Sequence, residues 1–198
     1  MAMTKEKIAS MALIRLGAGP ITSFTANTRE AQVVSNMYDT VTTTLFSYAN
    51  WNFATTKVAL AQLSQTILDK NYDYVYQLPS SIVKVLGIFD ANGNYDENYS
   101  VEDDKVYTNF AVANLVYIKE QDEADFPAYF TECLVAKLAF EMSEALTGIG
   151  SIHERLYNEF QNKLRQARIS DGQEEPAKTI VGPGSLIRAH QGAYIVRG

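Results

Sequence analysis

The 198-residue sequence holds one thiol, Cys133, and two imidazoles, His153 and His190, the side-chain types of a thiol nucleophile and a neutral-pH base. A Cys/His dyad needs a thiolate beside an imidazole. Cys133, however, lies within an almost wholly apolar run containing Phe130, Leu134, Leu138, Phe140 and Met142, where a thiol is expected to be buried and inert. His153 falls at the second position of an expected helix opened by Ser151, a surface site. Carboxylates offer the other chemistry. Glu102-Asp103-Asp104 has the ligand type of a divalent cation site but not the EF-hand spacing. Asp122, Glu123 and Asp125 could pair as acid and base in glycoside hydrolysis, but they also stand where the positive end of a helix dipole favours acids. The sequence holds no P-loop, Rossmann glycine pattern, HExxH or paired CxxC. The expectation is a non-enzyme with no catalytic, cofactor or metal residues. A small carboxylate-dependent polysaccharide hydrolase is the alternative.

Composition bounds the partners. Hydrophobic residues make up 46% and charged residues 20%, as in a globular protein, and the net charge is −6. An acidic chain of pI about 5.0 is poorly suited to grip nucleic acid, where affinity comes from neutralised phosphates, or to anchor on an acidic membrane. The charge is uneven. Residues 1–60 carry five bases and three acids, residues 61–126 four bases and twelve acids, and residues 127–198 eight of each. A single cysteine leaves the fold to packing. No apolar stretch is long enough to span a membrane, and the N-terminus lacks a signal-peptide core, so a reducing cytoplasm is the expected folding compartment.

The elements that must position these residues follow from period and punctuation. Thr4 caps a first helix to about Leu16, stopped by Gly17 and Gly19-Pro20. Asn27 and Glu30 read as a capping box ahead of the stripe Ala31, Val34, Tyr38, Val41, Leu45 and Tyr48. After Trp51-Asn52-Phe53 the period shifts towards two. Asn71–Leu78, Ile82–Phe89, Val106–Thr108 and Phe110–Tyr117 predict about four short antiparallel strands. Pro127 is placed as the first residue of an apolar central helix running to Leu146. Ser151 and Glu154 read as a second capping box, opening a helix lined by Ile152, Leu156, Phe160, Leu164 and Ala167. Asp171-Gly172 is the expected end of the folded part. The predicted class is α+β: a bundle of about four helices over residues 1–60 and 125–171, an inserted antiparallel β domain over 61–124, and an extended arm over 172–198.

The arm stands apart in composition. From Thr179 onward it contains Arg188, His190 and Arg197 but no acid, and its apolar residues come in two bursts, Leu186-Ile187 and Tyr194-Ile195-Val196. Such a segment reads as a disordered terminus, a nucleic-acid tail or a docking arm. Two arginines are few for phosphate binding, and an exposed apolar arm is a liability unless covered, so docking on a partner is expected. Leu186, Ile187, Arg188, Tyr194, Ile195 and Val196 are the candidate contact residues.

The ordered set of signals resembles a known family. A short helix ends in Leu16-Gly17-Ala18-Gly19-Pro20-Ile21-Thr22-Ser23-Phe24; Arg29-Glu30-Ala31 opens a long helix leading to Trp51-Asn52-Phe53. A β-rich insert follows from Leu78-Pro79-Ser80 through Val106-Tyr107, then Asp125-Phe126-Pro127 and a helix pair over 127–169. Over about residues 8–170 this is similar to the tail tubular protein A, or head-to-tail adaptor, family of short-tailed phages. The resemblance implies a structural virion protein, assembled in the host cytoplasm as a ring of 12 copies. Such a ring binds the portal protein above and a tail nozzle of the tail tubular protein B kind below, and extends the channel used in DNA ejection. DNA would pass without specific binding, and no membrane is involved. A head-completion or neck protein of another phage lineage is a further alternative.

Overall fold

The computed structural model describes residues 3–67 and 69–174. Helix α1 spans Lys5–Arg15 and α2 spans Arg29–Ser47, followed by six strands and then by α3 (Ala128–Thr147) and α4 (Gly150–Glu174). Helices predominate, and the class is α+β as the sequence predicts.

Helix boundaries follow local hydrogen bonding. The Thr4 hydroxyl accepts from the Lys7 N–H at 3.4 Å and caps α1 as expected. At the far end Gly17, with φ of 75°, turns the chain so that its own N–H and that of Ala18 return to Ile14 and Leu13 carbonyls. For α2 the expected Asn27 cap is corrected. Thr28 occupies the extended cap conformation, and its hydroxyl accepts from Ala31 N–H at 3.2 Å. The one-residue shift leaves Glu30 in the first turn, where it faces the helix dipole rather than closing a box. Pro127 likewise caps α3 from outside instead of beginning it, and its carbonyl accepts from Thr131 N–H. Helix α4 starts at Gly150, so Ser151 lies inside its first turn. There the Ile149 carbonyl takes the N–H groups of Ile152 and His153.

Helix α3 is the centre of the bundle, buried from Phe130 to Ala139 apart from Glu132 and flanked by α1, α2 and α4. The predicted stripe of α2 is buried from Ala31 to Leu45, whereas Tyr48, just past the last turn, is exposed. Trp51 is fully enclosed, its ring edge-on to Phe130 and its indole N–H donated to the Leu45 carbonyl at 3.0 Å. The aromatic rings of Phe46, Phe53, Phe126 and Phe130 close the same end of the core.

The β region contains six strands, not four: β1 (Thr55–Ala59), β2 (Tyr74–Gln77), β3 (Ile82–Phe89), β4 (Ser100–Glu102), β5 (Lys105–Thr108) and β6 (Asn114–Lys119). They form two antiparallel three-stranded sheets ordered β1-β6-β3 and β2-β5-β4. Strand β1 lies before residue 61, within the stretch assigned from sequence to the bundle. Its five residues show no apolar alternation, because little of it faces a core. The last strand runs over 114–119 instead of 110–117. Phe110 is held in the preceding loop, where its carbonyl accepts from the buried Tyr76 hydroxyl at 2.8 Å.

The first sheet is the shared layer of the molecule. Ile118, Val83 and Leu86 pack into the helical core, while Ile88, Leu115 and Tyr117 pack with Tyr76, Leu78 and Val106 of the second sheet. Among the described residues, no helix is long and apolar enough to cross a membrane.

Candidate functional site

Leu186, Ile187, Arg188, Tyr194, Ile195 and Val196, the expected contact residues, lie outside the described residues. What the structure places is the junction from which that segment departs. Helix α4 runs through Gly172 to Glu174, three residues past the expected stop at Asp171, and Asp171 is only 5% exposed. A glycine in a helix costs about 1 kcal/mol relative to alanine, so something must hold this last turn. Asp171 does so. Its carboxylate accepts from the Asn52 N–H at 2.8 and 3.0 Å, from the Phe53 N–H at 3.4 Å and from the Tyr129 hydroxyl at 2.9 Å. In return the Asn52 side-chain amide donates to the Asp171 carbonyl at 2.8 Å.

Tyr129 also lies 3.0 Å from Glu174. One phenol proton thus faces two carboxylates. Burial, then hydrogen bonding to Asp171 and Glu174, raises the Tyr129 pKa above its ordinary value. The junction therefore joins the end of α4, the start of α3 and the Trp51-Asn52-Phe53 turn that feeds β1. Sequence reasoning singled out that tripeptide and missed its partner, because an Asp-Gly pair is an ordinary stop signal.

A second surface lies just beyond. Strand β1 is an edge of the first sheet, and Lys57, Val58 and Ala59 are exposed. The bonds Lys119 N–H to Ala54 carbonyl and Leu60 N–H to Ala113 carbonyl fix the alternation of the ladder. The main-chain groups of Lys57 and Ala59 consequently point away from β6. Beside this edge is an open groove of about 480 Å³, lined by Lys57, Val58, Ala59, Val116, Phe89 and Asp90, among others. At its margin Asp90 accepts from Asn92 and Asn94, and the Asn94 side chain holds its carboxyl below the usual range. Tyr95, exposed, packs edge-on to Phe89 and over Gly87, where a Cβ would stand 2.7 Å from the ring.

The residues considered for catalysis are dispersed and occupied. Cys133 is buried in α3, and desolvation pushes its thiol up to about 12. His153 sits against the Phe140 ring and bonds the buried Ser143 hydroxyl at 2.8 Å, which is a packing position and not the surface one expected. Glu102, Asp103 and Asp104 build the β4–β5 turn, with Asp103 at φ of 53° and Asp104 accepting from the Gln77 amide. An aspartate tolerates that left-handed position better than most residues. Asp122, Glu123 and Asp125 form a short 3-10 turn ahead of α3, with Glu123 3.9 Å from Lys5. Lys137, unremarked in the sequence, is a buried cation paired with Glu141 at 2.8 Å and seated over the Tyr48 and Phe160 rings. Among the described residues, no group of three or more His, Cys, Asp or Glu is placed to hold a metal ion.

Neither a protein-family model nor a curated protein matches this chain. Function is therefore carried by its own residues.

Proposed function

We propose that the chain is a structural virion protein, an adaptor subunit whose ring joins the portal to the tail nozzle and extends the DNA channel of a short-tailed phage. The observation that carries the reading is architectural. Two helices, an antiparallel β insert seated on them through Ile118, Val83 and Leu86, and a second helix pair follow one another in the order the resemblance implies. A ring subunit needs two different complementary faces. Ile14 at the end of α1, Ile149 between α3 and α4, and Tyr157 and Ile169 on α4 are large apolar side chains left exposed on the bundle, the kind of surface that neighbours cover. The acidic balance of residues 61–126 suits a channel wall along which DNA slides.

The test is electron microscopy of the full chain mixed with its cognate portal. A twelve-fold ring on the portal is expected, and the absence of any complex overturns the proposal. Deleting residues 177–198 should leave a folded subunit and weaken ring assembly on the portal. Unchanged incorporation would remove the docking role of that segment.

A further inference from the structure

We infer that Tyr194-Ile195-Val196 of one copy of this chain adds as a fourth strand to the outer edge of β1 in a neighbouring copy, alongside the groove between β1 and Phe89. It rests on the adaptor reading only in requiring that copies associate. Among the described residues, β1 pairs on one side alone, and its Lys57 and Ala59 main-chain groups face outward. An unpaired edge of this kind is a template for another strand. Lys57 is its single charged guard.

The occupant is chosen by chemistry and by length. Tyr, Ile and Val are among the strongest strand formers, and this is the one burst of three in the acid-free segment from Thr179. Alternation along a strand puts Tyr194 and Val196 on one face, matching the apolar Ala59, Val116 and Phe89 of the groove. Charge agrees as well. Arg188 and Arg197 flank the burst, while Asp90 stands on the groove rim within a region of twelve acids and four bases.

Length permits a neighbour as the host. The Asp171 junction holds the end of α4 against Asn52, three residues before β1 begins, so the chain's own edge is only a short step away. The 19 residues between Glu174 and Tyr194 instead reach up to about 65 Å when extended. A folded body of this size has a radius of gyration of about 16 Å, and hence a diameter of about 40 Å, so the span reaches β1 of an adjacent copy.

Disulfide trapping with the full-length chain tests the pairing. Protein bearing Lys57→Cys is mixed with protein bearing Val196→Cys, the two positions sharing the groove face, under mild oxidation. The native Cys133 is buried and stays out of the exchange. The mixture should yield about tenfold more linked dimer than one pairing Val196→Cys with Val101→Cys on an edge of the second sheet, β4, a preference of about 1.4 kcal/mol. Adding Ala59→Pro to the Lys57→Cys partner removes an outward N–H and should abolish the excess without changing the circular dichroism of the subunit. Equal yields from the two edges overturn the inference, and so does a link that forms only when both cysteines are in one chain. A twelve-fold ring on the portal without the link overturns the pairing and leaves the adaptor reading standing. The link without a ring retains the pairing and removes the adaptor.

Discussion

Replacing Asp171 is the sharpest test of how the two halves of the molecule are joined. Asp171→Ala deprives the Asn52 and Phe53 N–H groups of their acceptor and leaves Tyr129 with Glu174 alone. Hydrogen bonds to a charged group contribute about 1.5–3 kcal/mol each, and donors stripped of a buried partner add their own penalty. Allowing for the partly exposed Tyr129 bond, the loss should be about 3–5 kcal/mol, a large share of a typical total stability of roughly 5–15 kcal/mol. Asp171→Asn keeps an oxygen for the backbone N–H groups and should cost only about 1–2 kcal/mol. Urea unfolding followed by the fluorescence of Trp51, the sole tryptophan and the neighbour of Asn52, reads both numbers. Hydrogen exchange at Asn52 and Phe53 should accelerate in the alanine variant. Tyr129 adds a pH signature. Its phenol is held protonated in the fold, so the stabilisation is intact below the ordinary tyrosine pKa of about 10 and declines as pH rises above it. Tyr129→Phe should flatten that alkaline decline. An alanine variant losing less than about 1 kcal/mol, with exchange at Asn52 unchanged, would refute the reasoning.

Two further outcomes follow from the local geometry. Thr28→Ala should destabilise by about 1 kcal/mol while Asn27→Ala stays within about 0.5 kcal/mol, and the reverse order in thermal unfolding would restore Asn27 as the cap. Cys133, with its thiol pushed up to about 12, should resist thiol reagents in the folded protein at pH 8 and react fully in denaturant. Its burial stabilises the fold below pH about 9 and loses that effect as pH rises towards 12, so rapid native labelling would contradict the packing described for α3.

The helices were legible because each carries its own evidence. Ala31, Val34, Tyr38, Val41 and Leu45 step at helical spacing, and the apolar run around Cys133 marks a buried helix by composition alone. Cap positions slipped by a residue because Asn27 and Thr28 are both good caps, and only backbone conformation chooses between them. Strands β1 and β4 were invisible for a different reason. Their residues are mostly exposed, so no alternation marks them, and pairing with β6 and β5 is a long-range event that local pattern does not encode. Asp171 is hidden from the sequence on the same ground. Its function as an acceptor depends on Asn52, 119 residues away in sequence, and nothing near Asp171 distinguishes a buried latch from a helix stop.

The acidity of the middle region has two physical sources, and they separate in the structure. Some of its carboxylates are consumed by the turns that short strands require. Asp90 closes the loop after β3, the buried Asp96 accepts from the Asn98 N–H and from the Thr108 hydroxyl, and Asp104 anchors Gln77. These acids are structural, and their charge comes with the turn chemistry. Asp73, Glu97, Asp122 and Asp125 are exposed and, among the described residues, their carboxylates anchor no turn, so their charge is available to a passing polyanion. In the proposed ring only this second set sets the character of a channel wall. Neutralising a turn acid should therefore act through stability, whereas neutralising an exposed one should act through retention of DNA, with a salt dependence the first kind lacks.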